Sequence, residues 1–277
     1  MTASRDVRRE ALSVSQRTIL LMTMTFDALI AALEQAPHQS EDTQLGSSWL
    51  LGFDTETTGV AAGRDAIVSA TLVLRDPQRG HDGDAEAEWV INPHRRMNPR
   101  ASAVNGFTDE YLAEHGMEPT DAIDQIARAI AAAQDKHIPL LAYNAPFDVH
   151  MLAGDLERWQ LPQVSERMEA ASSSSGLLVV DPLVIDRAVS KRHGKRTLTL
   201  TTEYYGVVPT GDFHNATADT VAAVDLIKPM STLYPQVGHL TMGELMEWQR
   251  QAHDTWQTSF NQWLESRGRA PLHDRWL

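Results

Sequence analysis

Two carboxylates, Asp54 and Glu56, end an apolar run in the segment LLGFDTETTG, Leu50 to Gly59. In a strand, residues i and i+2 share a face, so these acids point the same way and repel each other unless something neutralises them. Asp148, in AYNAPFD, falls in the first turn of a helix that follows a buried strand. His214 and Asp219 fall in HNATAD, where a loop enters the helix TADTVAAVDLI. Each of these three also has a structural reading. A first-turn acid complements the helix dipole, and a lone histidine is more often structural or solvated than catalytic. Together, carboxylates without thiolates form a hard-oxygen donor set suited to Mg²⁺ or Mn²⁺. Two such cations about 3.5–4 Å apart can activate a water and stabilise the leaving oxygen of a phosphodiester. Cations would also explain how Asp54 and Glu56 tolerate each other.

The elements that must position these groups are legible as a pattern. WLLGFD, AIVSATLVLR and AEWVIN read as three successive strands, with the glycine-containing DPQRGHDGDAEAE as a hairpin loop between the second and third. PTDAIDQIARAIAAAQ places Ile123, Ile126 and Ile130 on one helical face. IPLLAYN is a buried strand, and Asn144 is the expected cap of the helix through PFDVHMLAGDLERW. A loop is expected at EAASSSSG, then a further buried strand at LLVVD. The order implies a layered α/β domain from about residue 46 to 230. It follows an extension (1–45) bearing a short amphipathic helix, in which Phe26, Leu29, Ile30 and Leu33 recur at helical spacing behind Thr25 as N-cap.

Beyond residue 230, Leu245, Trp248, Ala252, Trp256, Phe260 and Trp263 advance by three or four residues each, as the apolar stripe of one long helix. Such a stripe has to be covered. Residues 231–277 are therefore expected to pack on the preceding domain, with a partner-binding helix as the alternative.

Composition excludes several classes. With no cysteine among 277 residues, disulfide scaffolds, thiolate zinc sites and cysteine nucleophiles are ruled out. No apolar run reaches the roughly 20 residues that span a bilayer. RTILLMTMTFDALIAALEQA faintly mimics a signal peptide, but Asp27 interrupts its apolar part, so a cytoplasmic location is expected. A net charge of −13 argues against a nonspecific nucleic-acid coat, though not against an enzyme that grips one strand end. Positive charge clusters in HRRMNPR (Arg95, Arg96, Arg100) and in RAVSKRHGKR (Arg187 to Arg196), and such runs taken alone read as solvated faces.

FDTETTG, YNAPFD and HNATAD, in that order and spacing, resemble the three motifs of the DnaQ-like DEDDh 3′→5′ exonucleases, the family of the DNA polymerase III epsilon proofreading subunit. NPRASAVNGFTDEYL resembles the segment between the first two motifs, and the match covers roughly residues 48–230. The resemblance implies a ribonuclease H-like exonuclease fold of class α/β, a mixed five-stranded sheet flanked by helices. It implies that Asp54, Glu56, Asp148 and Asp219 hold two divalent cations, Mg²⁺ or Mn²⁺, with Asp54 bridging, and that His214 is the general base; these five would be catalytic. It further implies that Thr57 contacts the terminal nucleotide while Val104 and Phe147 pack on its base. Asn105 stands where many relatives carry histidine, which alters contact with the 3′ end. Asp181, at the end of LLVVD, matches an acid common in relatives and is read as structural.

The implied activity is metal-dependent release of nucleoside monophosphates from single-stranded or frayed DNA 3′ ends, in replication, proofreading or repair, with a polymerase as a partner. Two alternatives stand beside it: an RNA exonuclease of the ribonuclease T or oligoribonuclease kind, and a non-catalytic module that binds nucleic-acid ends.

Overall fold

The computed structural model describes residues 14–169, 176–209 and 216–277, with side chains from residue 25 onward. Five strands form one mixed sheet in the order β3-β2-β1-β4-β5. They are β1 (Leu50–Thr57), β2 (Ile67–Arg75), β3 (Ala85–Val90), β4 (Leu140–Leu141) and β5 (Val179–Val180). β1, β2 and β3 pair antiparallel, whereas β4 and β5 continue parallel from β1. This is the mixed five-stranded sheet that the motif resemblance implied. β3 begins earlier than its hydrophobicity suggests, because Leu74 pairs with Ala85 and Arg75 forms an ion pair with Asp84 at the turn.

The helices are α1 (Val14–Gln35), α2 (Pro99–Asn105), α3 (Asp109–His115), α4 (Pro119–Gln134), α5 (Pro146–Arg158) and α6 (Val164–Arg167). After β5 come α7 (Pro182–Val189), α8 (Leu198–Tyr205), α9 (Ala216–Asp225), α10 (Ile227–Leu233), α11 (Pro235–Gly238) and α12 (Met242–Ser266). α1 is longer than the short helix expected, and Thr25 lies inside it rather than at its cap. Its stripe is nevertheless the anticipated one: Phe26, Leu29 and Leu33 are buried and Ile30 is half-buried.

Alternation along β1 explains the layering. Leu51 and Phe53 face a core shared with α1, α4 and α5, where Ile123, Ile126, Ile130 and Trp89 are also buried. Leu50 faces a second core with Leu141, Val180, Val224 and Leu245, under α9 and α12. Burying each such Leu, Ile or Phe contributes about 1.5–3 kcal/mol.

α12 packs on α7 and on β5. The expected stripe is only partly covered: Leu245 is buried, Trp256 and Phe260 are half-buried, and Trp263 is 46% exposed. The helix instead turns Gln249 inward. The Gln249 amide donates to Val179 O (2.7 Å) and accepts from Asp181 N (2.8 Å), supplying the edge of β5 with the partners a further strand would provide. The expected loop at EAASSSSG lies largely outside the described residues. No described helix is long and apolar enough to cross a membrane.

Candidate active site

β1 delivers the first two acids. Asp54 pairs with Thr71 and Glu56 with Ser69 across β2, and the register shifts between Glu56 and Thr57, a bulge that ends regular pairing beside the acids. Gly52, two residues before Asp54, lies against α9. A β-carbon there would stand 2.6 Å from Val224 Cγ2 and 2.7 Å from Thr220 Cγ2, so only glycine admits the helix this closely. Thr71 and Thr217 add an inter-element hydrogen bond of 3.0 Å. This close approach carries Asp219, in the first turn of α9, to the strand. One carboxylate oxygen each from Asp54, Glu56 and Asp219 lies within 4.8 Å of the others.

Asp148 arrives from the first turn of α5 and is buried. Its Oδ1 accepts a 2.7 Å hydrogen bond from Thr55 Oγ1, so it stands beside the three-acid cluster rather than within it. Asn144 does not cap α5: it adopts φ +67°, and Ala145 is the cap residue without a side-chain bond. The turn is held from Asp181, whose carboxylate accepts from Asn144 N and Ala145 N, both at 3.0 Å. His214 lies outside the described residues.

The electrostatics follow from crowding four acids and partly burying them. Burial, and then the charges of Asp148, Asp219 and Glu56, push Asp54 well above the ordinary carboxylate range. Burial raises Glu56 to about 7 against an opposing hydrogen bond from Asn105, with Asp219 adding to the rise. Burial also lifts Asp148 to about 7, although bonds from Thr55 pull the other way. An oxygen-only donor set whose members resist ionising together fits a hard divalent cation, which would replace the shared protons.

Beside the cluster lies a cavity of about 450 Å³ whose lining includes Glu56, Thr57, Val60, Arg100, Val104, Asn105 and Phe147. All four residues expected to meet a terminal nucleotide, Thr57, Val104, Asn105 and Phe147, therefore line one cavity. The Asn105 amide donates to Thr57 O (3.2 Å). Val60 was not anticipated. It is 84% exposed and Val104 56%, an unusual outlay of apolar surface next to carboxylates. Thr55, which fixes Asp148, also went unread, since only the fold shows that it faces α5.

Residues 51–227 match the family model described as an exonuclease, well over half of the chain. The chain belongs to the exonuclease family. The matched residues span FDTETTG, YNAPFD and HNATAD. This exonuclease domain is similar to the DNA polymerase III PolC-type of Streptococcus suis (27% identical over 167 residues, 58% of this chain and 10% of that one). It is also similar to that of Staphylococcus saprophyticus (24% over 202 residues, 71% and 12%). The chain thus spans only about a tenth of the length of these curated relatives. Its fold is shared with E. coli exonuclease I in complex with a dT13 oligonucleotide (TM-score 0.55, 18% identity, 69% of this chain and 42% of that one). It is shared likewise with exonuclease I from Methylocaldum szegediense (TM-score 0.54, 20% identity, covering the same shares).

The basic run of this exonuclease-family chain divides in two. Arg192 and Arg196 are committed to buried Asp186, at 2.8 and 2.5 Å. Burial opposes the charge of Asp186, yet these partners hold its carboxyl below the ordinary range. Arg187 has no such partner among the described residues; it lies over the Trp256 ring at 3.6 Å from the centroid.

Proposed function

We propose that this chain is a metal-dependent 3′→5′ exonuclease that releases nucleoside 5′-monophosphates from single-stranded or frayed DNA ends. The observation that carries the reading is the juxtaposition of three clustered carboxylates with a cavity walled by exposed Val60 and Val104 and by Phe147. An apolar wall accepts any base, whereas the acids suit a phosphate only when cations intervene.

In this reading Asp54, Glu56, Asp148 and Asp219 would hold two Mg²⁺ or Mn²⁺ ions, Asp54 being the acid that feels the charge of the other three. Bound cations supply charge neutralisation and Lewis acidity at the scissile phosphate. Thr55 holds the Asp148 carboxylate in place through its hydroxyl. Val104 and Phe147 pack on the terminal base, while Thr57 and Asn105 position the 3′ end. A ring nitrogen of His214, five residues before Asp219 in the HNATAD motif, takes the proton of the attacking water. Water adds to the terminal phosphorus, the bond to the penultimate O3′ breaks, and that oxygen leaves to be protonated. DNA is favoured as substrate because the PolC-type relatives are DNA polymerases and the exonuclease I structure holds a dT13 oligonucleotide. The same relatives support a polymerase as the working partner.

The test is digestion of a 5′-labelled single-stranded DNA with Mg²⁺, with Mn²⁺ and in chelator, beside an RNA of equal sequence. A ladder shortening by one nucleotide from the 3′ end, absent in chelator, is expected. Equal release in chelator, or internal cuts, would overturn the mechanism, and faster loss of the RNA would overturn the substrate.

A further inference from the structure

α12 and the segment that follows it lie outside the exonuclease match, which ends at residue 227, yet they wall a large cavity beside the site. This cavity, about 580 Å³, shares Val60 and Phe147 with the terminal-nucleotide cavity, so the two are neighbours across those side chains. Its lining also includes Arg187, Trp256, Arg275 and Trp276. Arg187 and Trp256 in turn border a third cavity of about 450 Å³ along α12. Three hollows therefore run in series from the acid cluster to the C-terminal helix.

The wall is built, not draped. Arg250, Gln257 and Asn261, on one face of α12, donate to the carbonyls of Leu277 (2.9 Å), Asp274 (2.6 Å) and Leu272 (2.9 Å). Asn261 also accepts from Leu272 N (2.7 Å), and the Trp276 indole donates to Asp181 (3.1 Å). On this frame Arg187 is half-buried and its guanidinium carbon lies 3.6 Å over the Trp256 ring, with no hydrogen bond or ion pair to a described residue. A guanidinium held over an aromatic ring, with its N–H donors unspent, is suited to phosphate oxygens. Beyond it the rings continue: Trp256 stacks on Phe260 at 5.2 Å and Phe260 on Trp263 at 5.4 Å, with Arg267 over Trp263. Cations interleaved with aromatic faces are the chemistry of a single-strand path. Two acids also reach the cavity. Asp181 is occupied by its own donors, and Asp274 is exposed beside Arg275.

We infer that the C-terminal helix and tail form the upstream track of the enzyme, holding the nucleotides that precede the one being removed, with Arg187, held over Trp256, and Arg275 on their phosphates. The inference rests on the exonuclease reading and deepens it: the ligand is a single strand of DNA several nucleotides long, entering across Val60.

Binding of 5′-labelled single-stranded DNA of two to ten nucleotides to the whole 277-residue chain carrying Asp54→Asn, followed by fluorescence anisotropy, tests it. Affinity should rise with length and then level off. Arg187→Gln should remove about ten-fold of affinity for the ten-nucleotide strand while changing that for the dinucleotide far less, because a lost charged contact is of that order. Arg275→Gln, on an exposed side chain that cannot unfold the core, should act in the same direction. If the chain without Asp54→Asn digests 3′ ends but both arginine variants bind every length as their parent does, the track is wrong and the exonuclease reading stands. If it neither binds nor digests DNA, both fall together.

Discussion

Asp54 is the point at which four acids converge, and its burial makes the metal-free protein work against itself. Asp54→Asn removes the charge but keeps the shape, so the metal-free variant should melt at a higher temperature than the parent. Its nucleotide release should nevertheless fall by at least about 10³-fold if, as proposed, Asp54 holds the catalytic cations. Thermal denaturation in chelator and release in Mg²⁺ check the two halves. The pH dependence follows from the same crowding. Glu56 and Asp148 are raised to about 7, above the values they take in the unfolded chain. Their protonated forms therefore favour the fold: this stability is fully present below the ordinary carboxylate range and is lost as pH rises through about 7. In chelator the melting temperature should decline from pH 5 to pH 8. The stabilisation given by added Mg²⁺ or Mn²⁺ should grow over the same interval, since cations and protons compete for the same oxygens. A flat profile would mean that the cluster is not buried as a unit.

At the scale of elements, the site depends on how closely α9 lies on β1. Gly52→Val would drive a branched side chain into Val224 and Thr220, which already stand 2.6 and 2.7 Å from a hypothetical β-carbon. The helix must then lift and take Asp219 from the cluster. A loss of about 1–3 kcal/mol is expected from overpacking, with a much larger proportional loss of turnover per folded molecule. Urea denaturation and single-turnover rates separate the effects; equal scaling of both would show that α9 does not position Asp219. The same scale explains two departures from the sequence pattern. β3 starts early because ladder pairing and an ion pair recruit residues that look like loop, and α12 buries Gln249 because the edge of β5 needs hydrogen-bond partners more than apolar cover.

Across the whole molecule, Asp181 ties separate parts of the chain together. Its carboxylate accepts from Asn144 N, Ala145 N and Leu183 N at 3.0 Å and from the Trp276 indole at 3.1 Å. It thereby joins the entrance of α5, the start of α7 and the C-terminal tail. Burial raises its pKa, against the pull of these four donors. Asp181→Asn would present an amide to groups that all donate, costing about 3 kcal/mol. For a chain of this size that corresponds to a fall of about 6–12 °C in melting temperature. Loss of cooperativity between tail and domain should accompany it in hydrogen exchange. Protection of the tail unchanged from the parent would show that Trp276 is anchored by packing alone.

Much of this protein was legible before folding is considered, because periodicity and motif spacing are local properties of the chain. Phe26, Leu29 and Leu33, the three central isoleucines of α4 and the acids of β1 all needed only neighbours a few residues away to be read. The side-chain commitments were not legible, since each depends on which partner the packing brings within reach. Arg187, Arg192 and Arg196 look alike in sequence. Asp186, buried in α7, claims the last two and leaves the first on Trp256, nearly seventy residues further on. Thr55 and Asp148 meet only because α5 ends its first turn against β1, and the cavity under the tail exists only because α12 folds back over β5. Desolvation and directional hydrogen bonds act at contact distance, so they are decided by the tertiary structure and by nothing shorter in range.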